Sequence, residues 1–489
     1  MEAAGRRSVH FEGAGKPGEE KPKEEEGMSR VDFVNAFSEL VARRDYNGAL
    51  RACRERLKAK PDDRYVIQMR QTVERYLDNC EDLDDDLDEP ESLPTMDELK
   101  EKAHEAAGRG FEALFTLLQD EETLWELGEQ AVGIFWDVGL VAPWGKRRER
   151  LLEMSRSLTQ ALGRKLKSVG SSGEPMPAQS VAADLGGSEM LFEALGQLWW
   201  RCELSMEREE WLVASCREEW EGKSMEQMVG YSEEALGRAD MGALTDILVQ
   251  AWALERVAVC GLFGEEATPR LEYGVAAVLA EIRRRPLVEP PLAGFYECFY
   301  LMTHVVYVLN CFNGHLPNKR TDCPWLYSYL ERCLGFWLRE VRRDFSHLPD
   351  VVAASTWGAE AVDAIAESVD CLRGLDDESE TDHVREGIAW LLSRQEADGL
   401  FYSPRATRPA ENVYDNVHPT WTTVAAIQLD REAPGSSPRC AAWAQHAREA
   451  AREVGFAEPP PLPDLGSLAE MAAEDAEGEE GEEEVQVQG

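Results

Sequence analysis

Apolar positions recur at helical spacing along most of the chain, in segments separated by short breaks. Residues 29–79 carry Phe33, Val34, Phe37, Leu40 and Val41, then an apolar face over 49–57. After Pro61-Asp62-Asp63 follow Tyr65, Val66, Met69, Val73 and Leu77. Between 97 and 167 the pattern runs through Leu114, Leu117 and Leu118, then Leu124, Trp125 and Leu127, then Val132, Phe135 and Trp136. Past Pro143-Trp144-Gly145 it resumes with Leu151, Leu152, Met154 and Leu158. Residues 188–263 place Trp199, Trp200, Trp211, Trp220 and Trp252 at similar spacing, where aromatic rings predict core. Segments 271–282 and 292–311, broken at Pro286, Pro290 and Pro291, predict one hairpin, and 325–341 with 351–372 predict another. The last pairs a helix over 382–395 with one opening near His418, because Pro419 is tolerated only in a first turn, and running to Leu429. One more helix is expected over 440–454. The fold class that follows is all-α, built of stacked helical hairpins.

Composition shifts divide the chain. Residues 1–27 are rich in Gly, Glu and Lys and read as disordered, with Met28 an alternative start. Residues 28–79 form a helical unit, and 80–96 an acidic linker whose like charges favour an extended chain. Residues 97–430 hold the hairpin array, interrupted by a Gly-, Ser- and Pro-marked surface loop over 168–187. Residues 431–466 add the final helix and the stretch Pro459-Pro460-Pro461-Leu462-Pro463. The tail, 467–489, is too acidic and too poor in apolar residues to fold alone.

Two stretches carry a resemblance. Trp390-Leu391, Gln395, Gly399 and Phe401 are spaced as in the QW repeat of terpenoid cyclases, with Phe where that family has Trp. Tyr414-Asp415-Asn416-Val417-His418-Pro419-Thr420-Trp421-Thr422 looks like the helix opening that closes the α/α toroid of terpenoid cyclases and protein prenyltransferase β subunits. The resemblance covers the C-terminal third and implies a toroid. Length alone extends it over 97–430, room for six or seven hairpins of roughly 45–50 residues. The N-terminal unit resembles a tetratricopeptide repeat, with Tyr46, Ala49 and Leu50 in the familiar places.

A formal net charge of −41 argues against nucleic acid and anionic membrane surfaces as partners. No run of about 18 apolar residues predicts a membrane span. Eleven scattered cysteines without Cys-x-x-Cys spacing predict reduced, packed thiols, as in a cytoplasmic protein, a nuclear setting remaining open. Asp82-Leu83-Asp84-Asp85 and Asp84-Asp85-x-x-Asp88 match the acid and Mg²⁺ motifs of terpenoid cyclases, but they lie in an acidic run with no apolar surroundings and read as linker.

Candidate chemistry concentrates late in the chain. Tyr300, His304 and Tyr307 share one side of a helix, where they could line an inner wall. A buried histidine satisfied by a neighbouring backbone carbonyl or Glu is the plainer reading of His304. Asp363, Glu367 and Asp370 have similar spacing, and Glu367 is the carboxylate expected to pair with His304 or His418. With Tyr414, His418 and Trp421 these are the candidate ligand-binding residues; His418, His304 and Glu367 are the catalytic candidates should the protein be an enzyme. The prenyltransferase resemblance implies a zinc site of Asp, Cys and His. His418 matches its histidine, whereas Asp322 and Cys323 are adjacent rather than spaced as the family has them. The expectation is a scaffold without resident cofactor, binding a protein segment or an apolar ligand; the alternative is a toroid-class enzyme, zinc-dependent and prenyltransferase-like or cyclase-like.

Overall fold

The computed structural model describes residues 46–60, 66, 67, 70, 93–127, 130–143, 145–168, 233–259, 274–290, 294–312, 322–345, 351–376, 380–403, 413–431 and 438–460. Among them the chain is all-α, with a one-residue antiparallel bridge between Gln395 and Phe401 as the only extended pairing. The expected disordered start and acidic tail lie outside the described residues, as do most of the acidic linker, of the tetratricopeptide-like unit and of the 168–187 loop; the end of the expected linker is already helix, with Thr95 capping the helix that opens at Met96. No described helix is long and apolar enough to cross a membrane.

The chain divides into two units, 1–74 and 75–489. In the first, α1 (Tyr46–Ala59) buries Leu50 and Cys53. The second contains α2 (Met96–Leu117), α3 (Glu121–Leu127), α4 (Gln130–Val141), α5 (Lys146–Ser168), α6 (Glu233–Arg238), α7 (Met241–Val259), α8 (Val275–Arg284), α9 (Phe295–Leu309), α10 (Pro324–Arg342), α11 (Val351–Leu375), α12 (Asp382–Leu392), α13 (Val413–Ala426) and α14 (Pro438–Glu453).

Side-chain pattern sorts these helices into two rows. Helix α9 buries residues on every side, from Phe295, Cys298 and Phe299 to Val306, Tyr307 and Val308, and α11 is buried continuously from Ala361 to Leu375. A helix apolar all round can only sit inside. Accordingly α7, α9, α11, α13 and α4 pack side by side in that order. Helices α8, α10, α12 and α2 keep one apolar face and cover the row from outside, as the alternation of a hairpin array requires. Trp337 of α10 is fully buried against Phe295, Phe299 and Trp357, at ring separations of 5.7 to 5.9 Å.

The segment 393–403 ties the C-terminal hairpin to α2, more than 280 residues earlier. Gln395 Nε2 donates to the Ala106 carbonyl at 2.8 Å and to the Gly399 carbonyl at 2.9 Å, while Arg109 donates to Gln395 Oε1. Gly399 has φ +90°, and a Cβ there would meet the Arg109 carbonyl oxygen at 3.0 Å. The Asp-Gly turn thus supplies both the left-handed backbone and the close approach. Phe401 N–H donates to Thr420 Oγ1 at 2.8 Å, which fixes α13 to the same turn. Gly110 of α2 lets α13 come near; a Cβ would sit 2.5 Å from Val424 Cγ1. Trp390 lies under the Arg394 guanidinium and packs, partly buried, against the core.

Helix α13 begins at Val413, not at His418, and keeps Pro419 within it. The ring removes one backbone donor. Downstream, the Thr422 and Thr423 hydroxyls donate to the carbonyls of His418 and Pro419, at 3.1 and 2.6 Å. At the other end, Arg373 of α11 donates to the carbonyls of Ala426, Gln428 and Leu429, so a buried guanidinium satisfies the helix terminus.

Helix α14 docks through Trp443 Nε1, which donates to the Val308 carbonyl at 2.8 Å, and through His446. His446 Nε2 lies 2.6 Å from Glu255 Oε1, and the same carboxylate accepts the Val275 N–H at 2.6 Å, capping α8. The Glu255 hydrogen bond raises the His446 pKa, burial opposes it, and Glu449 adds to the rise.

Two expectations follow. Gly399→Ala lowers stability by about 1–3 kcal/mol in denaturant unfolding, through the strained φ and the Arg109 contact. The His446–Glu255 pair stabilises most below the ordinary histidine pKa and loses its contribution as pH rises through the elevated folded value. The melting temperature therefore falls from pH 6 to pH 8, and His446→Gln reduces that dependence.

Candidate functional site

Helix α11 presents four acidic residues in successive turns, Glu360, Asp363, Glu367 and Asp370, on the side facing α9 and α13. Spacing of three or four residues keeps them on one face. Asp363, Glu367 and Asp370 are buried, and Glu360 is half-buried. Carboxylates so placed need partners, because desolvation penalises their charged form.

The partners differ. Asp370 is paired with Arg431, which also donates to the Ala425 carbonyl at 3.0 Å. Glu367 Oε2 lies 2.6 Å from Thr303 Oγ1, which in turn lies 2.7 Å from the Tyr300 carbonyl. The Thr303 hydroxyl donates to Glu367 Oε2 as well as reaching the Tyr300 carbonyl, and its bond to the carboxylate opposes the effect of burial on Glu367. Burial pushes the Glu367 carboxyl well above its usual range, and the neighbouring Asp363 charge adds to the rise. Burial and Asp363 likewise push Glu360 up to about 7, with His418 opposing.

Asp363 has a different neighbour. Its Oδ1 is 3.1 Å from His418 Nδ1, yet this buried oxygen makes no hydrogen bond, so the two atoms are close without being aligned for one. Among the described residues, Asp363, Glu367 and His418 form the group of His, Cys, Asp and Glu side chains whose donor atoms lie within 4.8 Å of one another. No Lys or Arg ion pair reaches Asp363 or Glu367 among the described residues, in contrast to Asp370.

Aromatic rings wall this cluster. Tyr414 stacks on His418 with centroids 4.4 Å apart, and Trp421 meets the imidazole edge-on at 5.0 Å. From α9, Tyr296 stacks on Tyr300 at 6.1 Å, and Tyr300 contacts His304 at 4.3 Å. The Tyr300 and Tyr414 phenols, one on each wall, lie near enough to influence each other's proton affinity. Burial holds both phenols protonated, well above their ordinary range. The enclosure is not sealed: Tyr414 is 37% exposed, and Tyr296, Tyr300, His304 and Trp421 are only partly buried.

Of the residues singled out in the sequence, the structure gathers Tyr300, Glu367, Tyr414, His418 and Trp421 around one point. Glu367 meets His418 as a donor pair, whereas Thr303 rather than His304 contacts it. His304 Nδ1 lies 2.9 Å from the Tyr300 carbonyl and donates to it; burial lowers its pKa to about 4, so the ring is neutral. Tyr307 continues the ladder past His304 and stacks on Phe312 at 5.4 Å. Asp322 and Cys323 do not join His418. Cys323 sits at the start of α10 ahead of Pro324, and burial, with Asp322 beside it, pushes its thiol up to about 12. Asp363, noted from sequence only for its spacing with Glu367 and Asp370, completes the cluster with Glu360, Tyr296 and Thr303, which sequence reasoning did not name. The acidic stripe on an otherwise Ala-, Val- and Ile-rich helix is the signal that points to Asp363 and Glu360.

Comparison with protein-family models, with curated proteins and with solved structures gives no match. The fold and site define the class on their own terms: a helical-hairpin protein with a buried, aromatic-walled carboxylate–imidazole cluster on its inner helices.

The two halves of the acidic face should respond oppositely to neutralisation. Asp370→Asn leaves Arg431 buried without its counter-charge and costs about 3–5 kcal/mol. Glu367→Gln keeps the shape of a protonated carboxyl and changes stability by less than about 1 kcal/mol. Urea unfolding of the two variants measures the difference.

Proposed function

We propose that this chain is a helical scaffold of the α/α-toroid kind that holds an apolar small ligand on its inner helices, with the Asp363–Glu367–His418 cluster receiving the ligand's polar end. The supporting observation is the pairing of a desolvated acidic cluster with partly exposed aromatic rings from α9 and α13. Apolar walls around a few convergent polar groups, here including a Glu367 carboxyl whose pKa burial raises, are what a ligand site requires. The join made by Gln395, Gly399 and Phe401 supports the toroid part of the reading, because it staples helix ends in the way the QW-like spacing implies. A neutral polar group such as a hydroxyl suits the cluster; a diphosphate does not, since no basic side chain pairs with Asp363 or Glu367 among the described residues.

A second reading, a toroid-class enzyme, is favoured by Glu360. A carboxyl that keeps its proton near neutral pH is what general-acid catalysis uses.

Quenching of Trp421 and Tyr414 fluorescence by farnesol and by farnesyl diphosphate separates the two. The scaffold reading expects saturable farnesol binding, weakened at least tenfold in Trp421→Ala, with the alcohol recovered unchanged. Preferential binding of the diphosphate with release of product supports the enzyme. Binding of neither compound contradicts the ligand-holding reading.

A further inference from the structure

We propose that Asp363, Glu367 and His418 form a site for one divalent first-row transition metal ion, of which Zn²⁺ is the best fit. The inference deepens the ligand-holding reading and rests on the same inner-helix site, giving the ligand's polar end an ion to bind.

Geometry carries it. Donor atoms around a tetrahedral ion at about 2.1 Å lie roughly 3.4 Å from one another. Asp363 Oδ1 and His418 Nδ1, 3.1 Å apart, are already at that separation. All three donors fall within 4.8 Å, so a small rotation of the Glu367 carboxylate completes a three-ligand face. The Asp363 oxygen supplies a second, independent observation. It is buried, makes no hydrogen bond, and sits at ligand spacing rather than in line with the imidazole N–H direction. A natively folded chain rarely leaves such an oxygen without a partner.

Charge points the same way. The next acid along the helix, Asp370, has Arg431, whereas Asp363 and Glu367 share a low-dielectric site with no Lys or Arg ion pair among the described residues. A dication offsets both at once.

The donor set narrows the ion. Two carboxylate oxygens and one imidazole nitrogen suit zinc, manganese or iron(II), and leave at least one position for a ligand oxygen. Magnesium is poorly served by imidazole in a site this dry. No cysteine joins this donor group among the described residues, and the Cys371 thiol is turned instead to the Thr303 carbonyl, to which it donates at 3.5 Å. Thr303 is the orienting residue: its hydroxyl holds Glu367 Oε2 and fixes which oxygen faces His418.

The test uses full-length protein stripped with chelator and dialysed separately against Zn²⁺, Mn²⁺ and Mg²⁺, with bound metal counted per chain. Co²⁺ serves in a fourth arm as an optical probe of low-symmetry coordination. The 93 acidic residues gather cations loosely, so the quantity read is the difference between wild type and the Asp363→Asn/His418→Gln double variant. The expected result is one Zn²⁺ per chain that survives buffer exchange and no retained Mg²⁺. A visible Co²⁺ ligand-field band should be present in wild type and lost in the double variant. Should that variant not fold, Thr303→Val carries the test, with Zn²⁺ affinity expected to fall ten- to a hundredfold. No retained zinc in wild type overturns the proposal, as does zinc held equally by a folded double variant or with unchanged affinity by Thr303→Val. If zinc is absent while farnesol still binds, the metal site alone is overturned; if zinc is held while neither farnesol nor its diphosphate binds, the ligand reading alone fails.

Discussion

The structure depends on how one helix buries an acidic face. Helix α11 lies among α9, α10, α12 and α13, and its turns bring Asp363, Glu367 and Asp370 into the interior. Each acid is accommodated by a different neighbour. Arg431 neutralises Asp370 and at the same time binds carbonyls beyond α13, Thr303 of α9 meets Glu367, and His418 of α13 stands beside Asp363. The pair with Arg431 completes a structural contact, together with the Arg373 bonds to the end of α13. The other two acids have no Lys or Arg ion pair among the described residues, an arrangement costly for folding unless a further positive species binds there.

Placement of His418 follows from the join made far away in sequence. Gln395 reads the Ala106 carbonyl, Gly399 passes against Arg109, and Phe401 is held by Thr420, two residues from His418. Helix α13 is thereby fixed in rotation as well as position, which turns His418 toward α11 and leaves Tyr414 and Trp421 as its flanking rings. A short turn with one positive-φ glycine thus sets the geometry of a site to which it contributes no side chain.

Much of this was legible in the sequence, for reasons that differ by element. Helices α9, α10, α11 and α12 are found within a few residues of their periodic segments, because each buries a continuous or one-sided apolar pattern. The Asp-Gly turn was readable because few other pairs tolerate that backbone. The start of α13 was not: a proline normally marks a first turn, and here tertiary contacts from Thr420 and the threonine hydroxyls hold helix on both sides of Pro419. Within the site, the row Tyr300, His304 and Tyr307 was legible from spacing, yet spacing could not tell that His304 turns to its own backbone carbonyl while Thr303 faces the acid. The role of Asp363 depends on which face α13 presents, and the departure of Cys323 from His418 depends on packing at the start of α10. Neither relation is local, so no periodicity encodes it.

Anomalous X-ray scattering at the zinc absorption edge, from crystals of zinc-equilibrated full-length protein, tests the central claim most directly. The account predicts a single strong peak about 2 Å from Asp363, Glu367 and His418. An ordered site in which those three side chains stand as described with no peak between them, at full zinc occupancy elsewhere or none at all, would contradict it.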